Sequence, residues 1–281
     1  MTVETVEITG LEPRHIGAAV DLSKEARWNQ TEADWALMME VGSAFGVEDA
    51  TGRLIASALT IPCGRAFGWV SMVLVTAPRQ GEGLARRLLR HCSHELEGAG
   101  LTPVVDATPA GEAIYRAMGF VGQFGLNRWE HGAVEDIDLN RPHNGGLAPI
   151  DMSTVLSLDA DAFGGDRRAV LEGLARRSAG FSCQNTKGCG YLLGRDGRVA
   201  SQIGPIVAAG PQDAIGMLDH ALANLHGPVF IDVGDHQTEF IDRLKTYGFK
   251  PQRPFLRMVK GDRIRFDVPA DMFAMAGPEL G

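Results

Sequence analysis

One stretch constrains this chain more than any other: Met72-Val73-Leu74-Val75-Thr76-Ala77-Pro78-Arg79-Gln80-Gly81-Glu82-Gly83-Leu84-Ala85-Arg86. It reads as a strand, a glycine-marked turn and the start of a helix. Residues 72–75 are apolar, as a buried strand should be, and Pro78 and Gly81 end the strand. Leu84, Leu88, Cys92 and Leu96 then recur every four residues, a helical stripe. A helix start leaves several backbone N–H groups without partners at the positive end of its dipole. Glycines let an anion approach that backbone with no side chain in the way. Residues 80–85 are therefore a candidate phosphate or pyrophosphate site, and a purely structural turn is the competing reading on spacing alone. No Gly-Lys-Ser/Thr closes the turn, so it is not a nucleotide P-loop. Arg86 stands where a dinucleotide fingerprint would carry its third glycine.

At 281 residues the chain has room for one large or two ordinary domains. A net charge of -8 argues against a general nucleic-acid or anionic-membrane binder. It also means that a polyanionic ligand must be met by local basic groups and backbone dipoles. Glu4, Glu7 and Glu12 contradict a signal peptide, and no apolar run reaches the roughly 18 residues of a membrane span. Cys63, Cys92, Cys183 and Cys189 show no zinc or redox spacing, so free thiols in a cytoplasmic protein are expected. His91 and His94 lie on the polar face of the helix after the turn, and no metal is expected there.

Taken in order, residues 3–8 alternate as a first strand and 15–26 follow as a helix. Thr31 with Asp34 resembles a capping box opening a second helix over 32–41. Trp28, Asn29 and Trp35 gather around the turn between these helices; they read either as core and caps or as the wall of an acceptor pocket. A hairpin spans 45–59, a strand 67–75, the helix after the turn 83–97, and a further strand 103–107. Next comes Thr108-Pro109-Ala110-Gly111-Glu112-Ala113-Ile114-Tyr115-Arg116-Ala117-Met118-Gly119-Phe120, a short helix with proline at its first turn and a glycine stop.

Gln80-Gly81-Glu82-Gly83-Leu84-Ala85 resembles the Gln/Arg-x-x-Gly-x-Gly/Ala signature of the GNAT superfamily of acyl-CoA-dependent N-acyltransferases. Tyr115-Arg116-Ala117-Met118-Gly119-Phe120 resembles its second signature, at the family's spacing. The resemblance implies that the strands ending near Val75 and Asp106 splay apart and admit the pantetheine arm of acetyl-CoA, paired with the backbone of Met72, Val73, Leu74 and Val75. The pyrophosphate would rest on Gln80, Gly81, Glu82, Gly83, Leu84 and Ala85, beside Arg86. Thr108 and Gly111 would border the coenzyme, although many members carry Asn and Ala there. Tyr115 would protonate the leaving thiolate, a role that suits a phenol. The amine would attack directly. No general base stands out among Asp106, Asp34, Glu40 and a water chain.

Residues 131–147 form a turn-rich boundary, after which the order of helices, hairpin, helix, strand, helix ending in Gly248-Phe249 and strand repeats at an offset of roughly 130 residues. In this second copy Pro211 and Asp213 occupy the turn, one lacking an N–H and the other adding a negative charge, so pyrophosphate should be repelled. The expected fold class is α/β (α+β): two tandem GNAT-like domains, each a mixed, centrally splayed sheet flanked by helices. Residues 1–130 would be catalytic, 131–147 a linker, 148–267 a degenerate copy shaping the acceptor pocket, and 268–281 a C-terminal tail. Asp106 and Asp232 are further acceptor-binding candidates, with Asp235 and His236 nearby in sequence. The expected activity is transfer of acetyl from acetyl-CoA to a small-molecule or protein amine, by a monomer or homodimer without metal, nucleic acid or membrane. A non-catalytic acyl-CoA-binding module and a longer-acyl transferase are the alternatives.

Overall fold

The computed structural model describes residues 7–139, 146–262 and 266–281. Most of the expected first strand and of the turn-former cluster at 140–146 lies outside the described residues. Contacts divide the chain into two compact units, Met1–Val104 and Val105–Gly281.

The first unit contains β1 (Thr9–Gly10), α1 (Ile16–Glu25), α2 (Glu32–Val41), β2 (Ser43–Glu48), β3 (Leu54–Cys63), β4 (Phe67–Val75) and α3 (Leu84–Gly98), and it ends within β5 (Thr102–Ala107). Its strands run in the order β1-β2-β3-β4-β5, antiparallel as far as β4. The β4–β5 pair is parallel, which requires a crossover, and α3 supplies it. Leu84, Leu88, Cys92 and Leu96 are all buried, so the four-residue stripe is the face that covers the sheet. The expected capping box is present: Asp34 N–H donates to Thr31 Oγ1 at 3.2 Å, and Thr31 N–H donates to the Asp34 carboxylate at 2.7 Å.

The second unit continues with α4 (Pro109–Ala117), β6 (Phe120–His131), β7 (Leu147–Ala148), α5 (Met152–Phe163), α6 (Arg168–Arg177), β8 (Cys183–Asn185), β9 (Gly190–Arg195), β10 (Ser201–Ala208), α7 (Pro211–Ala223), β11 (Val229–Gly234), α8 (Thr238–Thr246), β12 (Lys250–Lys260) and β13 (Met272–Ala274). The parallel pair β10–β11 with its crossover α7 repeats the arrangement of β4, α3 and β5. Gly119 and Gly248 close the matching helices α4 and α8 in the left-handed region, at φ of +86° and +83°.

The strand order here is β5-β12-β6-β11-β10-β9-β8-β7, with β13 on β10. β6 lies antiparallel between β11 and β12. The last strand of each repeat thus lies between two strands of the other repeat. Two buried ion pairs follow the same exchange. Arg128 on β6 donates through Nε and Nη2 to Asp232 on β11, both at 2.8 Å. Arg257 on β12 donates through Nε and Nη2 to Asp106 on β5, both at 2.9 Å. Residues 268–281, expected as a tail, instead add a strand and bury Phe273, Met275 and Leu280, while Glu279 pairs with Arg195.

Removing one partner of a buried pair leaves the other charge uncompensated. Arg128→Met is expected to destabilise the protein by about 3–5 kcal/mol, read from the urea midpoint. A shift below about 1 kcal/mol would show that Asp232 finds other compensation.

Candidate active site

The first unit contains the glycine turn expected to meet an anion. β4 ends at Val75, and a 3₁₀ turn over Ala77–Arg79 leads to two glycines in the left-handed region, Gly81 and Gly83, both at φ +84°. Gly83 is the N-cap of α3, and no side chain caps that helix. The first i→i−4 bond of this end is Arg87 N–H to Gly83 C=O at 3.1 Å, so the amides of Leu84, Ala85 and Arg86 precede the helical ladder. A Cβ at Gly81 or Gly83 would meet nothing within 4 Å, so the space over these glycines is open. Open amides, positive dipole end and free approach fit a phosphate or pyrophosphate.

Three side-chain links hold the turn. Glu25 accepts from the Thr76 hydroxyl at 2.9 and 2.8 Å and from Ala77 N–H at 2.5 Å. Those bonds, Ala77 first and then Thr76, hold the Glu25 carboxyl below its ordinary value. Gln80 Nε2 donates to the Val75 carbonyl at 3.1 Å. Arg79 Nε reaches both oxygens of Glu82 at 2.8 Å, which neutralises the one acidic residue in the motif. Arg86 is exposed at the first turn of α3.

β4 itself is distorted on the approach to this turn. Its register against β3 slips between Leu59↔Ser71 and Ser57↔Leu74. At the slip Met72 takes φ +52°, strain of order 1–3 kcal/mol for a residue with a Cβ. The Ser57 hydroxyl donates to the Met72 carbonyl at 3.0 Å and secures the bulge. Parallel pairing with β5 covers only Phe67↔Thr102, Gly68↔Pro103 and Trp69↔Val104. In the first unit the backbone around Met72, Val73, Leu74 and Val75 therefore lies beyond the β5 ladder. Four buried polar atoms in this unit have no partner among the described residues: Gln30 Oε1, Ser71 Oγ, and, on α3, His91 Nε2 and Ser93 Oγ. Gln30 neighbours the acceptor candidates Trp28 and Asn29 in sequence, and polarity inside an apolar strand is the signal for Ser71, although neither is among the site residues expected from the sequence.

The second unit supplies Tyr115, half-buried in the last turn of α4, with its ring edge-to-face against Phe120 at 5.6 Å between centroids. Gly111 lies under that ring: a Cβ there would come within 2.8 Å of Tyr115 Cε2 and 3.5 Å of Thr108 Oγ1. Thr108 is the N-cap, its carbonyl accepting from Gly111 N–H at 2.9 Å and Glu112 N–H at 3.0 Å.

Burial places several acceptor-side candidates inside the fold. Trp35 is fully buried, its Nε1 donating to Ser23 Oγ at 3.0 Å between α1 and α2, so it acts as core. Asp232 is fully buried, with both oxygens on Arg128 and one also accepting from Gln202. Burial pushes the Asp106 carboxyl upward against the pull of Arg257, and the bidentate pair leaves it no open face for an amine. Trp28 is half-buried and Asn29 buried in the turn after α1. His236 Nε2 lies 2.8 Å from the Pro269 carbonyl, to which it can only donate, and Asp235 accepts from the Asn127 side-chain amide at 2.8 Å.

At the corresponding turn of the second repeat, α7 begins with Gly210 as N-cap and Pro211 at N1, and Asp213 lies in its first turn. One donor is missing and a negative charge is in place.

Two family models, each described as an acetyltransferase (GNAT) domain, match residues 23–134 and 155–272. The chain belongs to the GNAT family and carries the domain twice. A curated relative of this tandem GNAT protein is the uncharacterized N-acetyltransferase YitH of Bacillus subtilis, 25% identical over 255 residues, covering 86% of this chain and 87% of that one. Among solved structures, a putative acetyltransferase from Pyrococcus horikoshii superposes with a TM-score of 0.85 at 18% identity, covering 100% of this chain and 98% of the other. A tandem GNAT protein from the clavulanic acid biosynthesis pathway gives a TM-score of 0.61 at 17% identity, covering 92% of this chain and 100% of that one. At such identities the structures establish the fold of the tandem GNAT chain alone. Among its described residues no group of His, Cys, Asp and Glu could hold a metal ion, and no helix is long and apolar enough to cross a membrane.

Proposed function

We propose that the protein is an acetyl-CoA-dependent N-acetyltransferase whose first GNAT domain, residues 1–130, carries the chemistry. The observation that carries this reading is the open start of α3 between two left-handed glycines, a cradle suited to the coenzyme pyrophosphate. The backbone of residues 72–75 would pair with the pantetheine amides. A neutral primary amine attacks the thioester carbonyl; the C–N bond forms, the C–S bond breaks, the thiolate takes the Tyr115 proton, and the proton of the new ammonium leaves to water, from which the Tyr115 phenolate is reprotonated. Burial pushes the Cys92 and Cys183 thiols up to about 12, which makes these two poor acyl carriers. Gln30 Oε1, buried and without a partner among the described residues, suits an N–H of the acceptor.

Incubation with acetyl-CoA and a panel of small amines, amino acids and lysine peptides, followed by thiol release, tests the reading. Release that depends on one class of amine is expected. Tight acetyl-CoA binding with no release on any amine would instead favour a sensor, and release only from longer acyl-CoA a different donor.

The Arg79–Glu82 pair bears on coenzyme affinity. Glu82→Gln removes a negative charge from the cradle and is expected to tighten acetyl-CoA binding about two- to fivefold. Arg79→Gln frees that charge and should weaken binding by a similar factor, and the double variant should return near wild type. Equal affinities for all four proteins would remove this pair from the site.

A further inference from the structure

α4 is nine residues long and none of them is fully buried, with Gly111, Glu112, Ile114 and Tyr115 only half-buried, so its own hydrogen bonds and its thin packed face hold its direction weakly. No side chain caps its N-terminus. Both of its ends are nevertheless attached, and to the same strand of the second repeat, β12. Before the helix, Asp106 is gripped by both arms of Arg257. After it, the Gly261 N–H donates to the Gly119 carbonyl at 2.9 Å, and Lys260 pairs with Phe120 in the β12–β6 ladder. Arg257 is itself fully buried, lies over the Phe124 ring at 5.1 Å, and also reaches Asp267 at 3.4 Å. Phe120, which the β12 ladder fixes, is the ring that Tyr115 packs against.

We propose that Arg257 is a positioning residue for Tyr115: the second GNAT domain anchors the helix that carries the catalytic tyrosine of the first. The inference rests on the proposed transferase function. It assigns the degenerate repeat a mechanical part in catalysis through a contact that the first repeat cannot supply, because in both halves the arginine comes from the other half. Well-oriented catalytic groups contribute steeply to rate, and a displacement of about 1 Å can cost about a hundredfold.

The test uses the full chain with Arg257→Met and Asp106→Leu combined, which removes both members of the two-armed pair and costs Asp267 only its longer contact at 3.4 Å. Arg195→Met with Glu279→Leu removes another buried pair, whose arginine binds Glu279 and the Ala276 carbonyl. Relative to wild type, the first double variant should lose about tenfold or more in kcat, keep its acetyl-CoA dissociation constant within about twofold, and show faster hydrogen exchange in the α4 amides. The second should keep kcat within about twofold and leave α4 exchange unchanged. Wild-type kcat and α4 protection in R257M/D106L would overturn the inference, as would an equal loss of kcat in both doubles. Should R257M/D106L not fold, Arg257→Lys keeps the charge and loses the two-armed grip; a fall in kcat with coenzyme affinity retained supports the anchor, and unchanged kcat overturns it. A wild-type protein that neither binds acetyl-CoA nor releases its thiol defeats the proposed function and this inference with it. Wild-type turnover that survives in R257M/D106L defeats the inference alone.

Discussion

Gly83→Asp is expected to abolish acetyl-CoA binding while leaving the protein folded. Gly83 is the N-cap of α3 at φ +84°, and a Cβ there meets no neighbour within 4 Å. Aspartate tolerates the left-handed region better than most residues, and it is a favourable N-cap at the positive end of a helix. The left-handed φ strains any side chain there, aspartate less than most, so the cost to α3 is about 1 kcal/mol and the main effect falls on the ligand. Its carboxylate takes the space over the amides of Leu84, Ala85 and Arg86 and repels the pyrophosphate. Like charges brought together cost several kcal/mol, so affinity should fall by about a hundredfold or more. Titration with acetyl-CoA reads the affinity, and thermal unfolding should show a Tm within a few degrees of wild type. Affinity retained to within about tenfold would move the pyrophosphate elsewhere.

Tyr115→Phe isolates a single hydroxyl. The ring keeps its edge-to-face contact with Phe120 and its seat over Gly111, so the local packing survives. What disappears is the proton offered to the leaving thiolate. General acid catalysis contributes about a hundred- to ten-thousandfold, and the fall in kcat should be at least about tenfold because a thiolate is already a fair leaving group. Coenzyme affinity should be unchanged, so the loss falls on kcat and kcat/KM together, the mark of an interaction made only in the transition state. Turnover equal to wild type would remove Tyr115 from the mechanism.

Much of the fold is legible because local pattern and tertiary role agree. The stripe of Leu84, Leu88, Cys92 and Leu96 predicts α3, and the capping box of Thr31 and Asp34 predicts α2, because each signal concerns residues within one or two turns. β6 is different. Gln123, Asn127 and Arg128 interrupt its apolar alternation, and two of them answer residues far along the chain, Asn127 to Asp235 and Arg128 to Asp232. β12 begins earlier than its apolar core at 255–259 suggests, since Pro251 and Pro254 argue against a strand; the register slip between Pro251 and Arg253 is what accommodates the first of them. Asp106 and Asp232 looked like site carboxylates because each ends a buried strand just before a turn. Their arginines lie on strands of the opposite repeat, and no local pattern can announce a partner more than a hundred residues away. The repeat itself held the clue, since aspartate and arginine recur at matching places in both halves. The conformation of the Gly81–Gly83 turn, by contrast, is legible in the sequence, because glycine spacing specifies backbone conformation directly.

The central claim is that a chain carrying the GNAT domain twice has one coenzyme site, at the start of α3. Calorimetric titration of the full chain with acetyl-CoA measures this as a stoichiometry. The account predicts a single equivalent bound per chain, lost in Gly83→Asp. Two equivalents per chain, or one that persists undiminished in Gly83→Asp, would contradict it.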